Sequence, residues 1–268
     1  MKHMGGSKKY WGFFTMQLRD YIAYPSELLA NWASFPFTMV VYYFLYSMVY
    51  QYNPSFADMS FPTLITYFFL TLCFRRIGNH SGTAGAVSEK IQKGNFITNI
   101  TKPIHFILYM FSFRSAKVFM QAVMALPFII IVPTLTLTNY TINPLTIALA
   151  FILVLTGFVV TFQLYYIIGL LTFWLEEVWG LRHYVNLMIW LFSGAIIPVS
   201  ILPFGLQSAA QILPFQHQAG IPAQLILGQV PLTQFTPSLI TLLIWAVALF
   251  FIQQYVWKKG LLKHDGKG

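Results

Sequence analysis

Along the chain, apolar residues come in long runs separated by short polar connections, not in the alternation of half-buried strands. Six runs approach, at about 1.5 Å per helical residue, the roughly 30 Å depth of a bilayer's hydrocarbon core. They are Leu28 to Tyr50, Phe61 to Asn79, Val118 to Leu137, Leu145 to Trp174, Tyr184 to Ile201 and Ser238 to Trp257. The pattern predicts an all-α integral membrane protein with six transmembrane helices, in which residues 1–268 form a single transmembrane domain.

Three segments fit neither a span nor a hydrophilic loop. Over residues 10–25, Tyr10, Phe13, Phe14, Leu18, Tyr21 and Ile22 share one helical face opposite Thr15, Arg19 and Asp20, which predicts an amphipathic helix in the membrane interface. Over residues 86–103, Ser88 to Lys93 suit a short helix, Gly94 suits the left-handed residue that ends it, and Pro103 stops any continuation. Over residues 200–235 the chain is almost uncharged, yet Pro203, Pro214 and Pro222 cut every stretch that could cross. Two half-helices that dip into the membrane and return are the remaining reading, allowed where protein satisfies the broken backbone.

Charge gives orientation. All sixteen Lys and Arg residues fall in the N-terminal segment, the second-to-third and fourth-to-fifth connections with their flanks, and the C-terminal tail. The positive-inside rule then puts both termini in the cytoplasm, in a cell (plasma or inner) membrane. The net charge of +9 is explained by topology and contact with membrane lipids, with no nucleic acid implied. No short apolar core with a small-residue cleavage site follows the first lysines, so no removable leader is expected. With one cysteine, Cys73, an intrachain disulfide is excluded, and its apolar neighbours suggest packing.

Enzyme chemistry finds no support. Of the seven carboxylates only Glu176 and Glu177 adjoin, and neighbours on a helix point about 100° apart. The six histidines lack metal-ligand spacing, and the tail "GLLKHDGK" misses the phosphate-loop spacing. No catalytic residue, metal or cofactor is therefore expected in this chain, and a transporter built on it takes its energy from a partner. Arg75 and Arg76 come nearest to intramembrane charge, with snorkelling to the head groups or a cavity role as alternatives.

Three stretches carry a family likeness: "EKIQKGNFITNITKPIHF" (Glu89 to Phe106), "FSGAIIPVSILP" (Phe192 to Pro203) and "ILPFQHQAGIPAQLILGQ" (Ile212 to Gln229). In their order and spacing the chain resembles the membrane subunit of ABC-2 type exporters, in the small bacterial drug-export-like branch. The resemblance implies the ABC-2 (type V exporter) fold, with an interface helix, six spans, a cytoplasmic coupling helix and two extracellular re-entrant half-helices. It implies two ABC ATPase subunits per complex, which bind the ATP and Mg, and a second permease subunit, identical or related. Gly94-Asn95 and "TNITKP" are more polar than the family's usual sequence after the coupling turn.

The implied roles fall on three groups of residues. Glu89, Lys90, Gln92, Lys93, Gly94, Asn95 and Phe96 would couple to the ATPase. Tyr42, Tyr43, Tyr46, Phe69, Arg75, Asn186 and Trp190 would line a substrate path for a drug, peptide or lipid-like amphiphile. Pro198, Pro203, Phe204, Pro214, Phe215 and Pro222 would form the extracellular gate. Alternatives are a permease for a lipid-linked polysaccharide, or a non-transporting membrane scaffold or immunity protein.

Overall fold

The computed structural model describes residues 6–24, 26–54, 56–78, 80–94, 105–137, 141 and 143–265. Among these the fold is wholly helical, and four helices are long and apolar enough to cross a membrane: Trp32–Tyr52, Phe106–Thr136, Pro144–Phe173 and Leu232–Lys263.

In chain order, α1 is Gly6–Ala23, α2 Ser26–Tyr52, α3 Phe61–Ile77 and α4 Ser81–Gln92. They are followed by α5 Phe106–Thr136, α6 Pro144–Leu170 and α7 Trp179–Phe192. Three short helices come next, α8 Phe204–Ile212, α9 Phe215–Gln218 and α10 Gly220–Ile226, before the long α11 Phe235–Asp265. Ser60 caps α3 through Thr63 N–H and Asn143 caps α6 through Leu145 N–H, each with a proline in the first turn, where a missing N–H costs nothing.

The core is organised around α6, which packs against α4, α9, α10 and α11 and contributes side chains to every apolar cluster. The α4–α6 approach is close because it is made of small residues. A Cβ at Gly169 would lie 2.6 Å from Val87 Cβ and 2.9 Å from the Ala84 carbonyl. The outward faces of α2, α5 and α11 stay apolar and exposed (Phe37, Phe44, Leu135, Ile244, Phe251), as hydrocarbon-facing surfaces do.

The structure redraws several boundaries. The predicted short helix at Ser88 begins seven residues earlier, at Ser81, where Gly82 and Gly85 provide room against α5 and α7: Arg114 and Arg182 come within 3.4 and 3.3 Å of Cβ positions there. The predicted span from Val118 starts twelve residues earlier, at Phe106. The bounds predicted for the fifth span, Tyr184 to Ile201, change most. Helix α7 ends at Phe192, because Gly194 turns the chain with φ 78°, and its 14 residues span only about 21 Å.

Helix α1 lies along α5 with its aromatic face inward. The His105 N–H donates to Tyr10 Oη at 3.0 Å, and Phe13 meets the Tyr109 ring edge-on at 4.8 Å. Trp11 on the other side is 66% exposed.

Candidate functional site

Where α7 breaks, three tyrosines take over the hydrogen bonds that the helix gives up. Tyr67 Oη donates to the Gly194 carbonyl at 3.1 Å, Tyr42 Oη to that of Ala195 at 2.9 Å and Tyr46 Oη to that of Ile196 at 2.7 Å. Each unmade bond away from water costs about 1–3 kcal/mol, so these phenols make non-helical backbone tolerable among apolar helices. Tyr42 and Tyr46, placed on a substrate path by sequence reasoning, are thus buried struts between α2 and this break, while Tyr43 is half exposed. Phe69 is partly buried and meets Phe35 edge-on at 5.0 Å.

The segment from Pro198 to Leu227 folds back into the bundle. Gln207 Nε2 donates to the Ser200 and Leu202 carbonyls, both at 2.7 Å, and Trp245 Nε1 donates to the Ile212 carbonyl at 2.8 Å. His217 Nε2 lies 3.0 Å from the Gln211 carbonyl. The tip is the deepest part: Phe215, Gln216, His217 and Gln218 are all buried, and Gln218 fills a notch left by Gly78 and Gly157. Of the predicted gate residues, Pro198, Pro214, Phe215 and Pro222 are buried, whereas Pro203 and Phe204 at the start of α8 are exposed.

A cavity of about 180 Å³ opens where α2, α3, α4, α5 and α7 converge. It brings together Arg75 and Arg76 from α3 with Arg114 and Lys117 from α5, and among the described residues no carboxylate lines it. The Arg75 guanidinium carbon lies over Trp190, 3.6 Å from the ring centroid, and that of Arg76 is 5.6 Å from the Trp32 centroid. Arg114 Nη2 donates to the Gly82 carbonyl at 2.7 Å, and Arg76 Nη2 donates to Ser34 Oγ at 3.2 Å. Of the predicted path residues, Arg75 and Trp190 are in this wall. Asn186 is one step away, accepting from Tyr165 Oη at 3.4 Å beside a narrow gap that Arg75 also borders. Sequence reasoning credited Arg114 and Lys117 with topology alone. Their signal was the spacing of Arg114, Lys117 and Gln121, which places three polar side chains on one face of an apolar helix.

At the far end of α4, Lys93 Nζ and Glu89 Oε1 form an exposed ion pair at 2.6 Å, whose hydrogen bond and charge hold the Glu89 carboxyl below its ordinary range. Gln92 Nε2 donates to the Glu176 carbonyl at 2.6 Å, which ties α4 to the connection before α7. Lys90 is 5.2 Å from the Tyr109 ring. Gly94 ends the helix with φ 67°, the left-handed conformation its sequence position suggests. Asn95 and Phe96 lie outside the described residues.

A family model described as ABC-2 family transporter protein matches residues 37–268. Among curated proteins none matches this chain.

Proposed function

Because the chain belongs to the ABC-2 transporter family, we propose that it is the permease of an ATP-driven exporter, moving an amphipathic or hydrophobic substrate out of the cytoplasm or inner leaflet. Permeases of this family work with ABC ATPase partners, and the family match carries the proposal. In this reading two ATPase subunits serve two permeases, both termini of the chain are cytoplasmic, and α3 and α7 complete a set of six spans.

Helix α4 is the coupling element. Its exposed end presents Glu89, Gln92 and Lys93, with Lys90 partly exposed, and its other face is locked to α6 through Val87 and Ala84, so force on the end is passed to the bundle. Closure of an ATPase pair against that end would shift α3 and α5 together and open a path between the two permeases.

The half-helices α8 and α10 form the extracellular gate, with α9 as their buried tip. The hydrogen bonds of Gln207 to the carbonyls just before α8 and of Trp245 to the last carbonyl of α8 support this, since a loop in water has no need of them. Single cysteines from Gln207 to Gln218 test it against a quiet background, as Cys73 is buried. The expected result is labelling by a membrane-impermeant reagent at Gln207 and Gln211, protection from Phe215 to Gln218, and a change in that pattern when the partner hydrolyses ATP. Uniform labelling throughout would mean an ordinary exposed loop and no gate.

A further inference from the structure

We infer that Arg75 is the recognition point for a carboxylate carried by the transported amphiphile, which reaches it through the cavity between α3 and α5. This deepens the permease reading, on which it rests, by naming the chemical class of the cargo.

Arg75 is only 9% exposed, and among the described residues it has neither a hydrogen-bond partner nor a salt bridge. A guanidinium taken out of water is costly unless an anion or acceptor oxygens replace that water. Its neighbours supply neither. Trp190, whose ring centroid is 3.6 Å from the guanidinium carbon, attracts the charge but offers no oxygen to the N–H donors. The Tyr42 and Tyr165 phenols, whose fields reach Arg75, are engaged elsewhere. Tyr42 Oη donates to the Ala195 carbonyl at 2.9 Å and Tyr165 Oη to Asn186 Oδ1 at 3.4 Å. A buried cation in this state among apolar helices marks a ligand path. The other cations on the cavity wall, Arg76, Arg114 and Lys117, have interactions of their own, so the recognition falls to Arg75 alone.

A single guanidinium fork matches the two oxygens of one carboxylate in paired N–H···O bonds. The space in front of it suits an amphiphile's acidic end. It holds about 180 Å³, with Phe35, Leu72 and Trp190 as an apolar wall and the exposed Gly82 at its rim. Arg75 lies two residues from the end of α3, the end that the permease reading turns to the cytoplasm. It also borders the narrow gap beneath the buried tip, beside Phe215 and Gln218. A carboxylate held there would sit between the inner cavity and the gate, with its chain along the apolar wall.

The test is calorimetric titration of the purified full chain in a nonionic detergent. Octanoylglycine at neutral pH should bind one to one and at least about tenfold more tightly than octanoylglycinamide, which keeps the chain and lacks the charge. Arg75→Gln should bring the acid down to the affinity of the amide while the amide binds as before, a result that unfolding does not imitate. Arg75→Lys keeps the charge, loses the fork and should fall between, so the comparison stands even where the Gln variant does not fold. Arg19→Gln on the exposed side of α1 should change nothing. Acetylglycine is the arm for a water-soluble source: binding as tight as that of octanoylglycine would overturn the amphiphile and leave carboxylate recognition standing. Equal affinity for acid and amide in the unaltered chain overturns the inference, as does a preference for the acid that survives Arg75→Gln. Because the measurement needs neither ATP nor transport, its failure leaves the permease reading intact, and failed transport leaves the site intact.

Discussion

Exchanging the charges at the end of α4, with Glu89→Lys and Lys93→Glu in one chain, is expected to abolish substrate-stimulated ATP hydrolysis and transport while the protein keeps its thermal midpoint. The exchange preserves an i,i+4 pair of opposite charges, so the helix loses at most a few tenths of a kcal/mol. What changes is the sign pattern offered to a partner, and like charges across an interface cost several kcal/mol, a loss of well over tenfold in docking. Gly94→Pro should act in the same direction by a different route. Proline is fixed near φ −65° and cannot adopt the 67° of Gly94, and it removes the N–H that now donates to the Ile91 carbonyl at 3.1 Å. Activity assays of both variants beside a thermal scan check this. Full coupling in both would move the ATPase contact elsewhere on the chain.

Gly157→Leu is the substitution expected to cost most stability. A Cβ there would lie 2.6 Å from Gln218 Cβ and still closer to its Cγ, atoms near the backbone of a buried tip that has no free direction to move. Overpacking of this kind costs about 1–3 kcal/mol, enough to lower the thermal midpoint of the detergent-solubilised protein by several degrees. Gln218→Gly in the same chain removes both clashing atoms and should recover part of the loss, since the two sites share one contact. A double variant no more stable than the single would show that Gln218 does not occupy the notch.

The long apolar helices were legible because composition over twenty or more residues decides them. The predicted Leu28 to Tyr50 and Leu145 to Trp174 differ from α2 and α6 by two residues or fewer at their starts. What was hidden depends on distant partners. Nothing near Gly194 reveals that Tyr42, Tyr46 and Tyr67 donate to the carbonyls freed where α7 breaks, so an apolar run that continued to Ile201 passed for helix. The extension of α4 back to Ser81 depends on neighbours distant in sequence, with Ala84 and Val87 against Gly169 and the glycines at 82 and 85 against Arg114 and Arg182. The cationic cavity was half visible: Arg75 and Arg76 stood out as charges late in a span, but Arg114 and Lys117 belonged, in sequence, to a basic connection and reach the cavity wall only when α5 lies against α3.

The central claim, that this chain is the membrane half of an ATP-driven machine, is most directly tested by the native mass and ATP hydrolysis of the complex purified from its own cell through a tag on this chain. The prediction is a particle with two permease subunits of about 30.7 kDa and two ATPase subunits, hydrolysing ATP. Purification of the chain by itself, with no associated ATP hydrolysis, would contradict it.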